Sequence, residues 1–288
     1  SLGLVGSEMC IRDSLQQPPP AGNAALVMAN PNYNRPGATP VPTARPASLA
    51  TGPQRRSAEL GSSQWAPLPA SEREGQQVAS LLATRLISDA AATTTALQRQ
   101  PGPRVLHIAT HGFFVADQES TPTDPLRVIQ EGSPLLRSLR QEDPQLRSGL
   151  VLAGANQPSL DPNDDGYLTA AEALSLKLKG TELVVLSACS TGQGESRTGE
   201  GVYGLQRSLT VAGARSTLLS LWKVDDAATA DFMTRFYTRL KAGEGRADAL
   251  AAVQAEFRNG TAGNGQWKEP YYWAAWQLVG DWRPVQGV

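Results

Sequence analysis

The chain has 288 residues and carries 26 Lys+Arg against 27 Asp+Glu, a formal net charge of −1, so no broad electrostatic field draws it to nucleic acid or to an anionic membrane. This length holds one large domain or two small ones, and no apolar run approaches the ~20 residues that cross a bilayer. Its 2 cysteines, Cys10 and Cys189, cannot build a disulfide framework, which points to a reducing compartment, the cytoplasm.

Residues 1–14, S-L-G-L-V-G-S-E-M-C-I-R-D-S, lack the charged and apolar regions of a signal peptide. They are similar to a sequencing-adapter remnant that recurs at the ends of conceptual translations. They are therefore set aside, Cys10 included, and the chain reads as the carboxyl-terminal piece of a longer protein. Residues 15–23, with Pro18-Pro19-Pro20, read as a linker. Residues 24–29 (A-A-L-V-M-A) predict a first strand, turned by Asn30-Pro31-Asn32-Tyr33. Residues 35–63 are rich in Pro, Ala, Thr, Ser and Arg, too polar to bury themselves, and predict a flexible insertion. After Trp65-Ala66-Pro67-Leu68-Pro69 the spacing predicts a helix with Ser71 as cap, Glu74 closing a capping box and Val78, Leu81 and Leu82 facing inward. A short strand over 83–87 and a helix over 91–100, stopped by Pro101, follow.

Residues 104–114, R-V-L-H-I-A-T-H-G-F-F, contain both histidines of the chain. Val105, Leu106, Ile108 and Ala109 read as a buried strand that ends at His111-Gly112. Residues 115–147 read as a long surface loop, 149–153 as a strand and 169–178 as a helix capped by Thr169. Asp161, Asn163, Asp165, Gly166 and Glu172 fit the calcium-loop pattern D-x-[DN]-x-[DN]-G-x5-E. The stretch before them reads as strand and Pro-containing loop rather than an entering helix. A turn followed by a capped helix is the stronger reading, and no metal is expected.

Residues 182–194 read E-L-V-V-L-S-A-C-S-T-G-Q-G. The unbroken run Leu183, Val184, Val185, Leu186 is the pattern of a central strand in a parallel sheet. The small residues after it deliver Cys189 to the carboxyl edge, where open α/β sheets place their chemistry. One strand ending in His-Gly and another in Ala-Cys bring an imidazole and a thiol to one edge. A nearby base can then remove the thiol proton, and the thiolate is the reactive form. The plain alternative is an inert buried thiol. His107 lies ~13 Å along the strand from His111, too far to share a metal, and reads as a hydrogen-bonded structural histidine. Beyond Cys189, a Gly-rich loop over 193–200, a helix over 202–211 and a strand over 214–222 are expected. Phe232, Met233, Phe236, Tyr237 and Leu240 mark an amphipathic helix over 227–242, and a helix over 247–257 and an apolar segment over 272–279 complete the chain. Strands alternating with helices predict a layered α/β sheet.

The stretches L-H-I-A-T-H-G-F-F, S-G-L-V-L-A-G, D-G-Y-L-T-A-A-E, L-V-V-L-S-A-C-S-T-G, S-L-W-K-V-D-D and Y-Y-W-A-A-W-Q-L-V-G-D-W stand in an order that resembles the CHAT family. These are caspase-like cysteine peptidases, related more distantly to caspases, separase and gingipains, and the resemblance covers residues 26–282. It implies a three-layer α/β/α sandwich with a mostly parallel central sheet, and a cysteine endopeptidase of clan CD that needs no cofactor. Cys189 would be the nucleophile and His111 its proton acceptor. The backbone amides of Gly112 and Cys189 would hold the oxyanion, since glycine lets the chain approach a substrate carbonyl. The resemblance also places Trp222, Asp225 and Asp226 around the pocket for the residue before the scissile bond, where a carboxylate favours Arg or Lys. Lys223 works against a strongly acidic pocket, and Asp225 or Asp226 equally suits a cap on the helix that follows. The implied partners are a protein or peptide substrate and an upstream helper region such as tetratricopeptide repeats. The competing reading is a catalytically silent signalling or scaffold module of the same fold.

Overall fold

The apolar runs around the two histidines and Cys189 form the middle of one sheet. The structure, a computed structural model, describes residues 23–34, 60, 63–115, 143–157, 164–190, 198–222 and 224–288. The adapter-like residues 1–14, most of the linker, most of the insertion expected at 35–63, residues 116–142 of the loop expected over 115–147 and residues 193–197 of the expected Gly-rich loop lie outside the described residues.

In chain order the elements are β1 (Leu26–Pro31), α1 (Pro69–Leu81), β2 (Leu86–Asp89), α2 (Thr94–Gln98), β3 (Val105–Phe114), β4 (Ser148–Val151), β5 (Tyr167–Thr169), α3 (Ala170–Ala173), β6 (Leu183–Ser190), α4 (Thr198–Val211), β7 (Ser216–Ser220), α5 (Asp226–Lys241), α6 (Arg246–Asn259) and β8 (Trp276–Gly280). The sheet runs β2-β1-β3-β6-β7-β8. Its first five strands are parallel and β8 closes the edge antiparallel to β7. The far end of β3 also pairs antiparallel with β4, and β4 with β5.

Alternation along the strands divides the core between two faces. Val105, Leu183, Val185 and Leu218 pack under α1, α5 and α6, where Phe232, Phe236, Val253 and Phe257 are buried. Leu106, Ile108, Val184, Leu186 and Leu219 pack under the other layer, with Leu97, Ala173, Leu205 and Leu209. Each large apolar side chain so buried stabilises the fold by about 1.5–3 kcal/mol. The result is the expected α/β/α sandwich with a mostly parallel sheet.

Several boundaries move for identifiable reasons. The helix α1 starts at Pro69, with Leu68 as its N-cap and no side-chain cap bond; proline has no amide to leave unpaired in the first turn. Ser71 is therefore not the cap. Its hydroxyl donates to the Leu68 carbonyl at 2.7 Å and accepts from the Asn30 amide at 3.1 Å. Glu74 does not close a capping box but turns inward and is buried. The helix expected to reach residue 178 ends at Ala173, and Thr169 caps it in a reciprocal box with Glu172. Residues 198–200 belong to α4, so the Gly-rich loop is shorter than expected.

Candidate active site

The ladder between β3 and β6 pairs Val105 with Leu183 and runs without a break to His111 with Cys189 and Gly112 with Ser190. Neighbouring strands lie ~4.8 Å apart, and paired residues of a parallel ladder share a face. Residues 111 and 189 therefore stand side by side on the face that carries α1, α5 and α6, at the carboxyl edge of the two central strands.

His111 is 6% exposed. Its ring packs against Tyr33 and Trp65, with centroids 5.2 Å and 5.4 Å away. Its Nε2 lies 2.8 Å from the carbonyl oxygen of Ala66. A carbonyl only accepts, so Nε2 carries a proton, and in the neutral ring Nδ1 is the basic nitrogen. The residues that supply this contact come from the strand-free run 63–68 ahead of α1. A backbone acceptor has no residue-type signature, so the sequence offered no sign of Ala66 beyond the re-entry at Trp65. Burial pushes the Tyr33 phenol up to about 12, against hydrogen bonds with Thr110 and the His111 backbone that pull it down. Tyr33 therefore stays neutral and donates to the Thr110 hydroxyl at 3.0 Å, which in turn donates to the Val151 carbonyl.

A polar cluster lies on the same face, deeper toward the middle of the sheet. His107 is fully buried; its Nδ1 is 3.1 Å from the Tyr237 hydroxyl and its Nε2 is 3.2 Å from Glu74 Oε1. Glu74 Oε2 accepts from the Ser187 hydroxyl at 3.1 Å. Burial and the neighbouring Glu74 charge push the Tyr237 phenol well above its ordinary value, so it meets His107 Nδ1 as a neutral hydroxyl. The other ring nitrogen, Nε2, faces the carboxylate. His107 is the structural histidine that the spacing indicated. In the sequence Glu74 fits a cap and Tyr237 a core aromatic, because nothing in a helix pattern reveals a polar partner across the sheet.

At the end of β7, the Ser220 hydroxyl donates to the Ala188 carbonyl at 3.2 Å, which ties the following segment to the edge beside Cys189. Asp225 caps α5: its Oδ1 accepts from the amides of Ala227 and Ala228, both at 3.0 Å. Asp226 is the first helical residue and is exposed. Trp222 is half-buried and donates its indole proton to the Tyr271 carbonyl at 3.1 Å. On the opposite face of the edge, a small apolar cleft is lined by Gly112, Phe114, Leu150, Leu186, Leu205 and Leu219 among others.

Of the calcium-loop residues, Asp161 and Asn163 lie outside the described residues. Asp165 accepts from the Tyr167 amide at 3.0 Å, and Glu172 is engaged with Thr169. Among the described residues no group of three or more His, Cys, Asp or Glu is placed to hold a metal, and no helix is long and apolar enough to cross a membrane.

An α/β/α sandwich whose two central strands carry a histidine and a cysteine in register defines the class to which caspase-like domains belong. The model of the CHAT domain matches residues 4–281, and the chain belongs to that family of caspase-like, clan CD peptidase-related domains. It is also similar to tetratricopeptide repeat protein 28 of Homo sapiens, 27% identical over 242 residues that make up 81% of this chain and 9% of that protein. The Mus musculus protein of the same name is 27% identical over 246 residues, again 81% and 9% of the two lengths. The chain thus spans about a tenth of these curated relatives.

Proposed function

We propose that this chain is a cysteine endopeptidase domain acting through Cys189 and His111, within a larger regulated protein. The observation that carries the reading is the β3–β6 register, which sets residues 111 and 189 side by side while the Ala66 carbonyl holds the far nitrogen of His111. His111 Nδ1 takes the thiol proton of Cys189, and the thiolate attacks the substrate carbonyl. The backbone amides of Gly112 and Cys189 stabilise the oxyanion. His111 then returns the proton to the leaving amine, and water enters by the same route to hydrolyse the thioester. The Ala66 carbonyl keeps Nε2 protonated throughout, so only Nδ1 exchanges a proton with the reactants.

Trp222 and Asp226 flank the residue before the scissile bond, whereas Asp225 is committed to its cap. The similarity to proteins named for tetratricopeptide repeats supports a helper region of that type, acting in the cytoplasm on a protein or peptide substrate. The test is a peptide-library cleavage profile for the wild type, Cys189→Ala and His111→Ala. Cleavage by the wild type alone is expected. Equal cleavage by Cys189→Ala refutes the assignment, and no cleavage by any form, with the helper region supplied, favours the silent scaffold module.

A further inference from the structure

The run 63–68 that carries Ala66 to His111 takes part in no strand or helix, so something other than a ladder must hold it. Among the described residues, both backbone polar groups of Trp65 are held by one side chain. The Trp65 amide donates to Asn156 Oδ1 at 2.8 Å, and the Trp65 carbonyl accepts from Asn156 Nδ2 at 2.9 Å. The amide of Asn156 thus does for Trp65 what a neighbouring strand would do. Its orientation is fixed, because Nδ2 also donates to Asn34 Oδ1 at 3.0 Å, a contact that the reversed amide would turn into two facing oxygens.

Asn156 is itself anchored. Its own amide donates to the Tyr33 carbonyl at 2.9 Å, and the Gly154 amide donates to the Asn32 carbonyl at 3.0 Å. This turn closes against Gly166, where φ is +81° and an added Cβ would lie 2.3 Å from the Ala155 nitrogen. The Trp65 indole donates to the Tyr167 hydroxyl at 3.0 Å. The next carbonyl after Trp65 is the one that meets His111.

We infer that Asn156 is a positioning residue of the site: by clamping Trp65 it holds the Ala66 carbonyl against His111 and so sets the tautomer of the imidazole. The consequence for catalysis rests on the peptidase reading; the consequence for the tautomer does not. Without the clamp, the Trp65 backbone loses both of its partners and that residue is held by its side chain alone, so the Ala66 carbonyl drifts from its 2.8 Å contact with Nε2. The proton can then move to Nδ1, where the ring can no longer accept one from Cys189.

The chain has 2 histidines, so ¹⁵N-histidine labelling gives two rings to follow, assigned by loss of one set in His111→Gln. At pH 8 the wild-type His111 ring is expected as the Nε2–H tautomer. In Asn156→Ala and Asn156→Asp its two nitrogen shifts should converge toward a mixture, while those of His107 stay in place. Turnover should fall by about 10- to 100-fold in kcat with little change in KM. An Nδ1–H ring in the wild type, or His111 shifts unchanged in a folded Asn156 variant, overturns the inference. If neither variant folds, the wild-type tautomer alone decides. A shifted tautomer in the variants, with no cleavage even by the wild type when the helper region is supplied, leaves the clamp standing and counts against the peptidase reading.

Discussion

Glu74 is the side chain on which the deep polar cluster turns, and replacing it measures what that cluster contributes. Glu74→Ala removes the acceptor of the Ser187 hydroxyl, at 3.1 Å, and the carboxylate that stands 3.2 Å from His107 Nε2. His107 is 0% and Ser187 8% exposed, and the orphaned serine hydroxyl costs about 1–3 kcal/mol. The desolvation of the lost carboxylate is relieved, which offsets part of this. Glu74→Gln keeps the volume and still pairs with the serine hydroxyl, so its penalty should stay below about 1 kcal/mol. In a domain of this size each kcal/mol moves Tm by about 2–4 °C. Glu74→Ala should therefore melt roughly 2–12 °C lower, with the glutamine variant much closer to wild type. Urea unfolding followed by circular dichroism gives both values. An alanine variant within about 0.5 kcal/mol of wild type would show that the cluster does not join α1 to the central strands.

Three further outcomes follow. Asp225→Ala should lose about 1 kcal/mol of stability through the lost cap without changing substrate preference. Asp226→Ala should leave the melt unchanged and lower kcat/KM for Arg or Lys substrates more than for neutral ones. One purified pair of variants separates pocket from cap, and the reverse pattern refutes the assignment. At the opposite edge of the sheet, burial alone would raise the Asp281 carboxyl, but hydrogen bonds from Arg283 and the charge of Arg246 bring it down to about 2. A lowered folded-state value contributes stability above the ordinary carboxylate range and loses it as the pH falls toward about 2. The loss should amount to about 2 kcal/mol, and Asp281→Asn should flatten the stability profile between those limits. An unchanged acid limb in that variant contradicts the ion-pair account.

The strands were legible because burial on both faces leaves an unbroken apolar run, as at Leu183–Leu186 and Val105–Ala109, and the small residues and glycine that follow mark where each run ends. The pairing of β3 with β6 was implied only as a shared edge; the register came from the structure. The start of α1 was misread because Ser71 and Glu74 fit the capping-box spacing, and local spacing cannot tell a cap from a carboxylate that faces a histidine on another strand. Asp225 was readable as a cap because that role is local. Ala66 and Asn156 act through a backbone carbonyl and an amide reaching across 91 residues of sequence. Neither leaves a pattern in the chain.

The central claim is that His111 activates Cys189, and it can be tested before any substrate is known. N-acetylcysteine added to the same sample serves as the reference thiol. Iodoacetamide labelling at pH 7, with Cys189 and the reference quantified by mass spectrometry, gives the ratio of their rates. The account predicts that Cys189 reacts many times faster than the reference in the wild type. In a folded His111→Ala variant its rate should fall by at least ten-fold while the reference is unchanged. Equal Cys189 rates in the two proteins would contradict it.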